Sequence, residues 1–142
     1  MTGAPLPQST RRHFVAALCG IALGPAALRA FARHTPAGPH PVPRAGISAA
    51  KIATNAQLSQ RPAAIPTFAL AREIPEVLDG IRCQCGCTDG KVYYSLLSCF
   101  ETPDMMAAEC EICQAQARLA HRLHAAGKTL DEIRKGIDAK FG

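Results

Sequence analysis

The chain has 142 residues, 48% of them hydrophobic and 19% charged, enough for one modest domain and too few for a large enzyme. With no Trp, five Phe and two Tyr, a core must be built mainly from Ala, Leu, Ile and Val, and it will be thin. The formal charge of +5 falls to +2 from residue 33 onward, where 13 Lys and Arg face 11 Asp and Glu with no basic run and no aromatic platform, which argues against a nucleic-acid partner.

Residues 1–32 have the pattern of an export signal. Arg11-Arg12-His13-Phe14 precedes an apolar stretch to Leu28, interrupted by Gly20, Gly24 and Pro25 and followed by Ala30-Phe31-Ala32. The stretch of about 15 residues is short of the roughly 20 that span a bilayer, and the small-x-small ending suits cleavage after Ala32. The paired arginines resemble a twin-arginine signal, an address that delivers proteins already folded, with an ordinary secretory signal as the alternative. Leu18 before Cys19 is wrong for lipid attachment, so no stable membrane anchor is expected. The expected location is the periplasm or another extracytoplasmic space.

Residues 33–64, with Pro36, Pro39, Pro41 and Pro43 and no apolar periodicity, are expected to form a disordered Pro-rich linker. Residues 65–142 are expected to form a mostly α, Cys-rich domain, an irregular loop packed on a long helix. Glu73 to Gly80 predicts a short helix opened by Pro75 and closed by glycine. The Cys83-Gln84-Cys85-Gly86-Cys87 stretch is too rich in turn formers for a regular element, and Ser95 to Phe100 predicts one or two helical turns ending near Cys99. Thr102-Pro103 predicts the N-terminus of a main helix running to Ala126, before Gly127. Thr129-Leu130-Asp131-Glu132 is a capping box for a last helix with Leu130, Ile133, Ile137 and Phe141 at helical spacing.

On the main helix, Met106, Cys110, Cys113, Ala117, His121 and His124 fall within an arc of about 80°. Met105, Ala108, Ile112, Ala115, Leu119, Leu123 and Ala126 form a second arc about 180° away. The second arc is the expected core face, leaving the cysteine stripe to meet the Cys83 to Cys99 segment.

Six of the seven cysteines lie within the 31 residues from Cys83 to Cys113. Thiolate sulfur is a soft ligand for copper(I) or zinc(II), and CxCxC, a lone Cys and CxxC so close together point to sulfurs acting as a group. The candidate metal ligands are Cys83, Cys85, Cys87, Cys99, Cys110 and Cys113. One arrangement is a tetrahedral zinc site using Cys110 and Cys113 with two loop sulfurs; another is more than one copper(I) ion, each content with two or three thiolates. Three disulfides would also staple a small exported domain, although bridges within Cys83–Cys85 or Cys85–Cys87 would close strained rings. A thiol oxidoreductase using Cys110 and Cys113 is a third reading. His121 lies eight residues beyond Cys113, roughly 12 Å along a helix, too far to share one mononuclear site; His121 and His124 form either a second, weaker site or a polar patch. Met105 is assigned to the core, with Met106 as a candidate thioether ligand. Asp79, Asp89 and Glu101 are assigned to solvated turns, and no catalytic pattern is present.

The cysteine pattern resembles the PCYCGC-motif family of small exported bacterial proteins over about half the chain, from roughly Ile74 to Phe141. The resemblance rests on Arg82-Cys83-Gln84-Cys85-Gly86-Cys87, Ser95-Leu96, Cys99-Phe100, the Cys110 and Cys113 pair, and the tail Glu132-Ile133-Arg134 with Ile137-Asp138. Arg82 and Gln84 stand where the family motif has Pro and Tyr, and a twin-arginine-like signal replaces a lipobox. The resemblance implies no enzyme activity. The expected function is handling or sequestration of a soft metal ion, with the ion and a metal donor or acceptor protein as partners.

Overall fold

The computed structural model describes residues 38–89 and 92–142; the expected export signal, Cys19 and the first residues of the expected linker lie outside them. Among the described residues four α-helices follow in chain order: α1 Ile65–Glu73, α2 Pro75–Asp79, α3 Glu111–Ala125 and α4 Leu130–Phe141. Short 3-10 turns occupy Ala49–Lys51, Pro62–Ala64, Leu97–Phe100 and Met106–Ala108. Among the described residues there is no strand, only an isolated antiparallel bridge between Ile52 and Glu101. The mostly α expectation holds.

Local chemistry sets several boundaries. Ile74 leaves the helical region at φ −132°, ψ 45°, as a residue before proline tends to do, so α1 ends and Pro75 opens α2. At the end of α3, Gly127 takes φ +74°; its N–H donates to the His124 carbonyl and that of Lys128 to the Leu123 carbonyl. That closing pattern needs the left-handed conformation glycine adopts freely. The capping box of α4 has both of its bonds, Glu132 N–H to Thr129 Oγ1 at 3.3 Å and Thr129 N–H to Glu132 Oε2 at 2.8 Å.

Four expectations need correction. First, α3 begins at Glu111 with Cys110 as its N-cap, not at Thr102. Met105 is left-handed at φ 46°, which interrupts any helix there, and Thr102 is drawn instead to the Lys51 carbonyl through its N–H at 2.9 Å. Second, the part of the expected disordered linker that lies within the described residues, 38–64, is packed. Ile52, Ala53, Leu58 and Ala64 are buried in the common core, and the Ala53 N–H donates to the Phe100 carbonyl at 3.1 Å. Apolar residues at irregular intervals bury without helical or strand periodicity, which is why composition missed them.

The third correction concerns the faces of α3. Its buried residues are Cys113, Gln114, Gln116, Ala117 and Ala120, whereas Ile112 is 46% exposed and Ala126 is exposed. Leu119 and Leu123 are only partly buried at the flank of the core. The cysteine stripe is therefore the core face. Cys83, Cys99 and Cys113 share one buried cluster with Phe68, Phe100, Leu78, Ile81, Leu96 and Leu97, as small polarisable side chains can. Phe68 and Phe100 meet edge to face with centroids 4.8 Å apart, which anchors the residue next to Cys99 against α1.

Fourth, Asp79 is fully buried rather than a solvated turn residue. It accepts from Arg44 N–H at 2.8 Å, Arg44 Nη2 at 2.7 Å and Ser95 Oγ at 2.9 Å. This network ties the segment before the core to both ends of the cysteine loop. Burial pushes the Asp79 carboxyl up, but hydrogen bonds from the Arg44 side chain and backbone and from Ser95 outweigh it, holding the group below its ordinary 3.8. A depressed carboxyl stabilises the fold above its unfolded value, and that contribution is lost as pH falls through the lower folded value. Asp79→Asn is expected to cost about 3 kcal/mol near neutral pH, with the gap from the parent closing at pH below 3.8; urea denaturation at a series of pH values measures it.

Candidate metal centre

The cysteine loop hangs from a closed neck. Leu96 N–H donates to the Ile81 carbonyl at 2.7 Å, beside the Ser95 to Asp79 bond. Within the loop, Gly86 takes φ +86° and its carbonyl accepts from Asp89 N–H at 3.0 Å. That left-handed residue reverses the chain between Cys85 and Cys87, which most other residues would do only at a cost.

The loop is also pinned to both long helices. Gln116, buried on α3, accepts from Gln84 N–H at 3.1 Å while its amide nitrogen lies 3.8 Å from Cys83 Sγ. The Gln84 side chain donates to Asp138 on α4 at 2.8 Å. His40 Nδ1 accepts from Arg82 N–H at 3.0 Å, so in the neutral ring the proton sits on Nε2, which donates to Asp138 at 3.1 Å. Arg82 itself pairs with Asp89, an exposed carboxylate.

These constraints bring all six candidate sulfurs together. Cys83 Sγ lies 3.2 Å from Cys85 Sγ and 3.5 Å from Cys113 Sγ; Cys85 to Cys113 is 3.5 Å and Cys87 to Cys99 is 3.2 Å. Two sets have sulfurs all within 4.8 Å of one another: Cys83, Cys87, Cys99 and Cys113, and Cys85, Cys110 and Cys113. The six cysteines are free thiols, and the closest sulfurs are well beyond the roughly 2.05 Å of a disulfide. Zinc–sulfur bonds of about 2.3 Å require tetrahedron edges of about 3.8 Å, so the four-sulfur set is of the right size for one ion with small adjustments. The cluster can hold a metal ion.

Cys110 and Cys113 fall together with one loop sulfur, Cys85, while Cys113 also joins Cys83, Cys87 and Cys99. Cys110 is not inside the helix: it is extended at φ −108°, ψ 103°, and its sulfur accepts from Cys113 N–H at 3.5 Å as the N-cap. Its side chain leaves from the end of α3 rather than from its surface.

The sulfurs also divide protons unequally. Hydrogen bonding from Cys113 is the main influence lowering Cys83 to about 7. Cys113, Cys83 and Cys99 together hold Cys87 well below the thiol range, while the same sharing pushes Cys113 far above it and burial leads the upward shift of Cys85. A cluster of this kind keeps thiolate character in some members by leaving protons on their neighbours.

His121 and His124 lie outside both sulfur sets. His121 Nε2 pairs with Glu73 at 2.7 Å, linking α3 to α1, and His124 is exposed. Met105 packs partly buried against the core, and Met106 is exposed. Sequence reasoning missed Gln116 and His40. Gln116 carried a weak signal, a polar residue one turn from Cys113 on the same side; His40 carried none, because its partners are far along the chain.

Comparison with protein-family models, with curated proteins and with solved structures gave no match. Fold and site therefore define the class: a small helical domain whose clustered cysteines can hold a metal ion. Gly86→Ala is expected to destabilise the reduced protein by about 1–2 kcal/mol, read as a lower urea midpoint. The double variant His121→Ala/His124→Ala is expected to keep the parent's metal stoichiometry, measured by elemental analysis.

Proposed function

We propose that this protein binds and handles a soft metal ion, copper(I) or zinc(II), outside the cytoplasm, and that it is not an enzyme. The observation that carries the reading is the convergence of six free sulfurs, from one loop, one 3-10 turn and the start of α3, into two sets each within 4.8 Å. Soft thiolates select such ions over hard ones, and a buried group of thiolates needs positive charge to offset its repulsion. The export-signal pattern of residues 1–32 supports the location. Folding before export in a reducing compartment would keep the thiols available to an ion. The resemblance to the PCYCGC-motif family supports the cysteine set as a unit. No helix among the described residues is long and apolar enough to cross a membrane, and release of the ion would be to an acceptor protein.

The test is elemental analysis with thiol counting on protein isolated from the exported fraction without chelator. The expected result is stoichiometric copper or zinc, with thiols that alkylate only after the ion is removed. Removal is expected to lower Tm by about 10 °C or more, because an ion bound only to the native state stabilises it by mass action. No metal together with no free thiol would replace this reading with a disulfide-stapled module; no metal together with one fast-reacting thiol would favour thiol exchange.

A further inference from the structure

Four and three ligand positions make seven, yet the site has six sulfurs, because Cys113 belongs to both sets. We propose that Cys113 Sγ is a bridging ligand between two soft ions, and that the outer of the two ions is the one exchanged with partners. This rests on the soft-metal reading of the site and specifies its nuclearity and its route of loading.

Thiolate sulfur has lone pairs enough to bind two ions, and Cys113 stands where both sets meet. Its sulfur is 3.5 Å from Cys83 on one side and 3.5 Å from Cys85 on the other. It lies in the first turn of α3, whose N-cap residue is Cys110. The two positions are not equivalent. The inner set has three fully buried members, Cys83, Cys99 and Cys113, with Cys87 partly buried; the outer set has two partly buried members, Cys85 and Cys110, besides the shared sulfur. Four sulfurs complete a tetrahedral ion and close its coordination. Three satisfy trigonal copper(I), or leave zinc(II) one open position. In either case an incoming ligand meets the outer ion first.

Exchange there is ligand substitution without redox change. A thiolate of the acceptor forms a bond to the outer ion, the bond from Cys110 or Cys85 breaks, and the departing thiolate takes a proton from water. Cys110 is the member best placed to let go, since it sits at the helix end and its sulfur also serves as an N-cap acceptor.

Cadmium(II), a soft ion with a spin-active isotope, is the probe. The chain is loaded with 113Cd and its ions are counted by native mass spectrometry; proton–cadmium correlation spectra then show which cysteines bind each ion. The expected result is two ions per chain, with the Cys113 β-protons coupled to both cadmium resonances. Cys110→Ser keeps a good N-cap in serine and so tests the outer position without threatening the helix. It is expected to lose one of the two ions and keep the inner resonance. In a chelator challenge the outer resonance is expected to disappear first. One ion per chain, or two ions with Cys113 coupled to only one, overturns the bridge while leaving the soft-metal reading standing. Retention of both ions by Cys110→Ser, or loss of both resonances in a single phase, overturns the outer exchange position. No cadmium bound at all overturns the proposal and the soft-metal reading together.

Discussion

The packing of sulfur at the first turn of α3 is the constraint on which the rest of the structure depends. Cys113 is fully buried there, and the Cys83–Cys87 loop and the Leu97–Phe100 turn carry their sulfurs to it. A domain without tryptophan and with few aromatics has little to fill its centre, and cysteine supplies compact, polarisable volume. The same atoms are therefore packing and chemistry. Phe100 illustrates the coupling: it stacks edge to face on Phe68 of α1 and thereby fixes the position of Cys99, its neighbour in the chain.

Around that centre, polar contacts from outside the cysteine region hold the loop in shape. Arg44 and Ser95 converge on the buried Asp79, while His40 and Gln84 converge on Asp138 of α4. Arg134 of α4 adds bonds to the Gly80 and Pro41 carbonyls, both at 2.8 Å. Most of these satisfy a group at the neck or along the first residues of the loop, where no helix or sheet would satisfy it. The cysteine loop lacks regular structure and is nonetheless determined, because the N–H groups of Arg82 and Gln84 donate to the side chains of His40 and Gln116 and the Gln84 side chain donates to Asp138.

Such rigidity suits a soft-metal site. An ion is bound well when its ligands converge before it arrives, since less ordering remains to be done. Crowded thiols oppose full ionisation until a cation is present, so coordination and proton release are coupled. In the proposed two-ion site, the division into a buried four-sulfur set and a more accessible three-sulfur set combines retention with access, with Gln116 beside Cys83 as the polar support of the inner sulfurs.

Much of the fold and the membership of the sulfur cluster were legible in the chain. The capping box at Thr129, the proline at α2, the closing Gly127 and the six cysteines act through neighbours a few residues away or through their own chemistry, and local rules describe them. The start of α3, the buried face of that helix, the packing of residues 38–64 and the burial of Asp79 were not legible, because each is decided by partners distant in sequence. Thr102 has good N-cap chemistry but is bound by Lys51; Ile112 has a core side chain but faces solvent, because the sulfurs claim the opposite face. By itself the sequence determined the helical class and which atoms are ligand candidates, since propensity and softness are properties of residues. Only the tertiary structure decided which sulfurs group together and that Cys113 belongs to both sets, because that depends on the left-handed turn at Gly86, the extended backbone of Cys110 and side-chain bonds spanning as much as the distance from His40 to Asp138.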